Sequence, residues 1–194
     1  GDTDSAWQVS LNSTVTGTKG YLRLFSNGRF YSEFGSFDTQ IDNNLLTFPG
    51  GENERAYNNT SNNYIAYCWH SVPGYSAFGS YEGSSELPFI YTGFKPSLVI
   101  IKNATNTGSN EFASWCIYDN ARDSFNEMSN VLYANKSINE GYRGDASTAS
   151  SDIKLEFLSN GFRPTTYYLE QDGGGDTLIY AAFAETPLNF ANAR

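Results

Sequence analysis

The sequence is short of positive charge. Lysine and arginine together number 12 against 21 aspartate and glutamate residues, which gives the 194-residue chain a formal net charge of −9 at pH 7. Nucleic acids need a cationic track along their phosphates, and anionic membranes attract cationic surfaces, so we expect neither as a partner. Apolar runs such as the one at residues 97–101 are far shorter than the ~20 residues that span a bilayer. This run predicts a buried strand and no membrane insertion.

Residues that catalyse reactions or bind zinc are scarce. The single histidine is His70, and the two cysteines are Cys68 and Cys116. A nucleophilic triad would depend wholly on His70, for which packing at a strand end or a surface hydrogen bond is the better explanation. One histidine and two separated cysteines do not supply the about four ligands that zinc requires. We expect two buried free thiols, with a disulfide as the alternative.

Carboxylates leave one enzymatic reading to weigh. A glycosidase needs two carboxyl groups across a cleft, and Glu156 and Glu170, on predicted strands, are the pair to consider. The alternation around Glu156 points its side chain towards solvent, which disfavours this reading. We therefore expect no enzymatic activity and no catalytic residues.

Two groups of oxygen ligands leave calcium open as a cofactor. Residues 172–176 read Asp-Gly-Gly-Gly-Asp, and Asp119, Asn120 and Asp123 form a second cluster. Neither follows the EF-hand pattern. A glycine-rich hairpin and a surface pair between Asp119 and Arg122 are the favoured interpretations, so we expect no metal and no other cofactor.

Aromatic and turn-forming residues dominate what is present. The chain has 14 Tyr, 14 Phe and 3 Trp, and polar residues fill the stretches between short apolar runs. Large rings bury much apolar area, and many short strands joined by turns are typical of a sandwich. The sequence therefore predicts an all-β fold, an antiparallel β-sandwich with little helix. Residues 63–194 are expected to form the sandwich module, and residues 1–62 strands of the same sandwich or an attachment region.

Local patterns place the principal strands. Asn27-Gly28, between residues 21–25 and 29–31, predicts a β-hairpin with a tight turn. Residues 64–69 and 178–184 are apolar on both faces, which indicates two central strands. Further strands are expected at 78–81, 113–118, 130–134 and 153–158, with a helical turn at 122–128 and exposed loops at 102–111 and 135–152.

The motif Gly-Phe-basic-Pro occurs twice, at residues 93–96 and 161–164. The glycine allows a bend, the phenylalanine can enter the core, and the proline ends one ladder before the next begins. We interpret the motif as a recurring corner followed by a strand.

Tyrosine and tryptophan rings stack on sugar faces, so exposed rings are the candidate ligand contacts. Trp69 and Trp115 lie in the centres of predicted strands and are expected in the core. Tyr75 and Tyr142 lie in predicted loops. These two tyrosines are the predicted ligand-binding residues.

Six blocks of sequence carry a resemblance to a known family. They are Tyr-Ile-Ala-Tyr-Cys-Trp-His at 64–70, Pro-Gly-Tyr-Ser-Ala-Phe-Gly-Ser-Tyr at 73–81, Pro-Phe-Ile-Tyr-Thr-Gly-Phe-Lys-Pro at 88–96, Trp-Cys-Ile-Tyr-Asp-Asn-Ala-Arg at 115–122, Phe-Leu-Ser-Asn-Gly-Phe at 157–162 and Ile-Tyr-Ala-Ala-Phe-Ala-Glu at 179–185. In this order they resemble an uncharacterised β-sandwich domain family of tail, fibre and virion surface proteins of marine phages, including cyanophages.

The resemblance implies a lectin-like jelly roll of the concanavalin A type, and it carries over no catalytic or binding residue. It implies a non-enzymatic structural protein at the virion surface, in a tail, a fibre or a capsid decoration. Such a protein acts through interfaces with other virion proteins or with copies of itself in a symmetric oligomer. A host-surface glycan-binding adhesin module is the alternative, and a polysaccharide-degrading enzyme is the least favoured.

Overall fold

A computed structural model gives the fold of most of the chain after residue 62 and of short strands before it. The described residues are 8–11, 20–24, 31–32, 40–42, 45–47, 63, 65–105, 114–140, 154–165 and 175–186. These ranges contain thirteen strands and no helix. The strands are β1 Gln8–Leu11, β2 Gly20–Arg23, β3 Tyr31–Ser32, β4 Gln40–Asp42, β5 Leu45–Thr47, β6 Ser76–Glu82, β7 Ile90–Tyr91, β8 Leu98–Asn103, β9 Cys116–Asp119, β10 Leu132–Tyr133, β11 Leu155–Leu158, β12 Gly161–Pro164 and β13 Thr177–Phe183.

The strands pair into antiparallel sheets. The largest sheet has five strands in the order β10-β9-β8-β13-β6, and a second has three in the order β11-β12-β7. In the N-terminal part, β1, β2 and β3 form a three-stranded sheet and β4 pairs with β5. The register of the five-stranded sheet places Ala182 of β13 between Ala77 of β6 and Val99 of β8. Strand β6 is the last strand in the order of this sheet and is therefore an edge strand.

An apolar core lies between the five-stranded sheet and the three-stranded sheet. Alternate residues of a strand point to the same face, so Val99 and Ile101 of β8 enter this core together, where they join Leu155 of β11. Phe162 of β12 is fully buried, and its ring lies edge-on to the Tyr180 ring with centroids 5.3 Å apart. The predicted all-β antiparallel sandwich is confirmed.

The opposite face of the five-stranded sheet is buried as well. Ile179, Trp115 and Ala104 form a second apolar cluster with Leu22 of β2. The central strand β13 is therefore covered on both faces, which explains why its sequence is apolar at successive positions. The central strand predicted at 178–184 is confirmed, and so is the burial of Trp115.

Several other predicted elements are confirmed. Strands β6, β9, β10 and β11 fall within or overlap the segments predicted for them. Strands β2 and β3 pair as a hairpin, with Tyr21 opposite Tyr31. This register differs from that of a two-residue turn at Asn27-Gly28, which would place Leu24 opposite Tyr31. The turn residues lie outside the described part of the chain.

The central strand predicted at residues 64–69 is wrong. Residues 65–70 belong to no strand and are exposed, and Trp69, predicted to be in the core, is among them. The prediction of two buried thiols is half wrong: both cysteines are free, but Cys68 is exposed and Cys116 is buried. Residues 65–70 do not pair with the sheet because two serine side chains hydrogen-bond the backbone groups that such pairing would use.

The corner predicted at residues 161–164 is also wrong. These residues form strand β12, which pairs with β11 and β7, whereas Gly93 does bend the chain, with φ of 82°. Gly161 is needed for close packing, because a Cβ there would lie 2.1 Å from the Ile90 carbonyl oxygen. Phe94 and Phe162 both enter the core, as the motif predicted.

The helical turn predicted at residues 122–128 is replaced by bends. The Asn126 side chain pairs with the backbone of Phe157, accepting from its N–H at 3.0 Å and donating to its carbonyl at 2.9 Å. Met128 and Leu155 exchange two backbone hydrogen bonds of 2.8 and 3.0 Å. This segment therefore covers the outer edge of β11, and its polar groups are satisfied by the sheet and not by a helix.

Candidate interaction surface

A row of large apolar side chains is exposed between residues 65 and 69. Ile65, Tyr67 and Trp69 stand at alternate positions and expose 74%, 61% and 65% of their surface. The Tyr67 and Trp69 rings stack, with centroids 5.9 Å apart and planes inclined by 25°, so these two side chains lie on the same side of the chain. We call residues 65–70 the aromatic segment. Contiguous exposed apolar residues of this kind mark interaction sites.

A tight turn joins the aromatic segment to the edge strand β6. Val72 and Ser76 exchange two backbone hydrogen bonds of 2.9 Å each, around Pro73 and Gly74, whose φ is 74°. This bridge is the first rung of an antiparallel hairpin. Continued in the same register, the next hydrogen-bonded rung would join His70 to Phe78, because such rungs recur at every second residue.

Two serine hydroxyls occupy the groups that this next rung would use. The Phe78 N–H donates to Ser71 Oγ at 3.1 Å, and Ser76 Oγ donates to the His70 carbonyl oxygen at 2.9 Å. The backbone of His70 and the backbone of Phe78 are thus each bonded to a side chain and not to one another. We call this arrangement the serine lock. It ends the hairpin after one rung and leaves the aromatic segment in the open.

The two predicted ligand-binding residues have different outcomes. Tyr75 lies in the turn and exposes 39% of its surface, while its backbone carbonyl accepts from the Ala184 N–H at 2.8 Å. Tyr142 lies outside the described residues. Sequence analysis missed Tyr67 and Trp69 as surface residues, because a two-sided apolar run predicts burial. The signal that was available is the lack of any charged residue from 56 to 81.

Other exposed apolar side chains lie at sheet edges. Tyr91 belongs to β7, an edge strand of the three-stranded sheet, and Phe89 lies just before this strand. Leu132 belongs to β10, which is the other edge strand of the five-stranded sheet. Phe125, 82% exposed, lies in the bends that follow β9. Edge strands with exposed apolar residues are ready templates for pairing with another chain.

The histidine is at the surface, whereas the cysteine of strand β9 is buried. His70 is exposed, and its Nδ1 atom lies 3.0 Å from the Ser71 carbonyl oxygen. Cys116 is buried in the core, with Sγ 3.7 Å from the Ser114 carbonyl oxygen, and burial raises the pKa of its thiol to about 12. A thiol with such a pKa stays protonated at neutral pH and is a poor nucleophile.

The Glu156 carboxylate, considered above for a glycosidase, forms an ion pair with an arginine. Glu156 lies opposite Arg163 across β11 and β12, and its Oε2 atom accepts from Arg163 Nη2 at 2.6 Å. Glu170 lies outside the described residues. Glu156 alternates with the buried Leu155 and Phe157, so its side chain points away from the core as predicted. It is 21% exposed beside the more exposed Arg163.

The oxygen cluster at Asp119 is filled by protein donors. Asp119 Oδ2 accepts from Arg122 Nε at 2.5 Å, and Asp123 Oδ2 accepts from the backbone N–H groups of Ser129 and Asn130. Partial burial tends to raise the pKa of Asp119, but the hydrogen bonds and charge of Arg122 outweigh it and lower the pKa. The predicted Asp119–Arg122 surface pair is confirmed.

The second oxygen cluster is described in part. Asp176 accepts hydrogen bonds of 2.9 Å from Asn103 Nδ2 and from Thr105 Oγ1, which tie β13 to the end of β8. Residues 172–174 lie outside the described part. Within the described ranges, no three His, Cys, Asp or Glu side chains come together as metal ligands.

Among the described residues, no helix is long and apolar enough to cross a membrane.

Comparison with known proteins gives a family. Neither the curated proteins nor the solved structures gave a match to the chain. One family model matches residues 2–187, which is nearly the whole sequence. The chain therefore belongs to the family described as "Domain of unknown function (DUF7483)".

Proposed function

We propose that the chain is a non-enzymatic surface module of a phage particle, placed in a tail, a fibre or a capsid decoration, and that it acts through protein–protein interfaces. The observation that carries this proposal is the aromatic segment. The serine lock holds Ile65, Tyr67 and Trp69 outside the core, where each exposes more than half of its surface. Their burial against a partner is the role that this arrangement supports best.

Charge supports an interface at this place. Residues 56–81 contain no Asp, Glu, Lys or Arg, although the chain as a whole carries a net charge of −9. The cores of protein–protein interfaces are depleted in charged residues and enriched in aromatic ones. The aromatic segment has both properties. The assignment to a phage particle rests on the six resembling blocks, several of which lie in the core and the turns of the sandwich.

The location of the chain tests this proposal. Antibodies raised against the purified chain are used for immunogold labelling of intact particles of the virus that encodes it. We expect labelling at a fixed position on the particle and co-purification of the chain in constant stoichiometry with a tail or capsid protein. Chain that stays in the soluble fraction of the lysate, with unlabelled particles, would contradict the proposal.

A second candidate function is glycan binding, and one observation favours it. The stacked, exposed rings of Tyr67 and Trp69, with the exposed Tyr75 six residues further along the chain, could stack on the apolar face of a sugar. A glycan array with host-surface saccharides tests this function. Binding that is lost in Trp69→Ser and retained in Phe125→Ser would support it, and a blank array with the parent chain would exclude it for the saccharides present.

A further inference from the structure

The aromatic segment is self-complementary about Tyr67. Its side chains run large, small, large, small, large over Ile65, Ala66, Tyr67, Cys68 and Trp69. A twofold axis at Tyr67 would set Ile65 of one copy opposite Trp69 of the other and Ala66 opposite Cys68. Every large side chain would then meet a large one, and every small side chain a small one. Cross-strand pairs of aromatic and β-branched residues are among the stabilising ones.

The chain's own sheet edge does not take up the segment. Pairing with β6 in the register of the Val72–Ser76 bridge would need the Phe78 N–H and the His70 carbonyl, and Ser71 and Ser76 hold both. The segment is therefore presented beside the sheet edge. The serine lock uses the backbone of His70 and Phe78 and not that of residues 65–69, so the lock does not block pairing of those residues with a second copy.

Electrostatics also favours a second copy at this place. Two chains that each carry a net charge of −9 repel one another over most of their surface. The aromatic segment lies inside the 26 uncharged residues from 56 to 81, so close approach there brings no like charges together within the segment. An isologous contact needs one such patch, used by both copies.

We propose that residues 65–69 pair antiparallel with the same residues of a second copy across a twofold axis at Tyr67, and that the chain is a homodimer through this contact. This inference rests on the proposed function, since it names the partner of the aromatic segment as a further copy of the chain. In a particle, dimerisation would link neighbouring modules and raise the strength of attachment through two-point contact.

The first experiment measures the oligomeric state of the full chain by analytical ultracentrifugation over a range of concentrations. We expect a dimer whose dissociation constant rises at least about tenfold in Trp69→Ser and in Ile65→Ser, the loss typical of an interface hot spot. Phe125→Ser is the matched control, because it removes a ring elsewhere on the chain that is 82% exposed, and it should leave the constant unchanged. All of these positions are exposed, so the variants are expected to fold.

The second experiment tests the register by disulfide trapping. Opposite residues of an antiparallel pair have Cα atoms about 4.5 or 5.5 Å apart, within the range of a disulfide. Under mild oxidation, Ala66→Cys should therefore form a covalent dimer through native Cys68 of the other copy. The double variant Ala66→Cys with Cys68→Ser has no opposite thiol and should not. The buried Cys116 is common to both chains.

The outcomes separate this inference from the proposed function. A chain that remains monomeric at all concentrations, or a dimer that tolerates Trp69→Ser, overturns the inference, and so does a monomer that binds glycan through Trp69. Equal cross-linking of the two Ala66→Cys chains overturns the register. If monomeric chain is nevertheless found on labelled particles, the inference fails while the proposed function stands. If the chain is a dimer but is missing from particles, the inference stands while the proposed function fails.

Discussion

At the scale of single residues, the Tyr118 hydroxyl is a polar group buried in the core. The Tyr118 side chain is fully buried in the core, and among the described residues none provides a hydrogen-bond partner for its hydroxyl. Burial, with the nearby Cys116, Tyr133 and Tyr81, raises the pKa of Tyr118 well above its usual value, so the group stays neutral. A buried hydroxyl without a partner costs about 1–3 kcal/mol.

Replacement of Tyr118 by phenylalanine removes this cost and keeps the ring. We expect Tyr118→Phe to raise the free energy of unfolding by about 1 kcal/mol, measured by urea denaturation. Tyr75→Phe, at an exposed hydroxyl in a turn, is the control and should change stability by less than about 0.5 kcal/mol. A loss of stability in Tyr118→Phe would mean that the hydroxyl has a partner.

A buried lysine gives stability a dependence on pH. Lys102 has no exposed surface, and its Nζ donates to the Asn103 carbonyl oxygen at 2.6 Å. Burial lowers the pKa of Lys102 from 10.5 to about 8, and burial raises that of Cys116 from 9.0 to about 12. Between pH 8 and 10.5 the unfolded chain holds a lysine proton that the folded chain lacks, so stability rises with pH. From pH 9 the unfolded chain loses a thiol proton that the folded chain keeps, and this opposite contribution cancels the rise up to about pH 10.5.

The expected result is a rise in stability between pH 8 and 9 that levels off above pH 9. One proton over one pH unit amounts to at most about 1.4 kcal/mol. Urea titrations at pH 7.5, 8, 8.5, 9 and 9.5 measure it. Lys102→Met should lose the rise whatever its absolute stability, and an unchanged slope in this variant would assign the rise to another group.

The sequence predicted core residues better than surface ones. Phe94, Phe162 and Trp115 were placed correctly, since aromatic residues between turn signals or in strand runs are usually buried. Trp69 was not, although it too stands beside a cysteine in an apolar run. What separates the two tryptophans is the serine lock, in which hydrogen bonds depend on side-chain positions that periodicity does not encode.

At the scale of elements, the serine lock decides whether residues 65–70 form a strand. Removal of both hydroxyls in Ser71→Ala with Ser76→Ala frees the Phe78 N–H and the His70 carbonyl to bond each other. We expect the hairpin to extend along β6 and Trp69 to pack onto the sheet edge near Gly79, where the Tyr180 ring lies close.

The fluorescence of Trp69 reports this change. In the double serine variant, with Trp115 already buried in both chains, emission should shift to shorter wavelength, and dimerisation should weaken because the aromatic segment is engaged within its own chain. Ser85→Ala, at an exposed serine of the following turn, is the control. An unshifted spectrum in the double variant would show that the lock does not hold the segment out.

Strands with alternating or two-sided apolar residues were largely predictable, and the elements between them were not. Residues 122–128 have a helix-compatible pattern, yet Asn126 and Met128 bond the edge of β11 instead. Residues 161–164 have the same motif as 93–96 but form a strand, because Gly161 allows close approach to β7. Such outcomes depend on which distant strand is nearby, and tertiary contacts of this kind override local propensity.

At the scale of the whole molecule, the described residues include a two-sided β core and the exposed, uncharged aromatic segment. The sandwich holds the fold, and we propose that the aromatic segment contacts another chain. Of the two predicted ligand contacts, Tyr75 follows this segment closely in sequence. The sequence therefore indicated a surface role for this region through Tyr75, whereas it predicted Trp69 to be in the core.

Amide hydrogen exchange at residues 65–70 tests the role of the aromatic segment most directly. The measurement compares dilute isolated chain with chain in the assembled particle, and uses the amides of β13, protected in both states, as the reference. We expect fast exchange in the dilute chain and at least about tenfold slower exchange in the particle, because burial and pairing protect amides. Equal, fast exchange in both states would contradict the assignment of this segment as the interface.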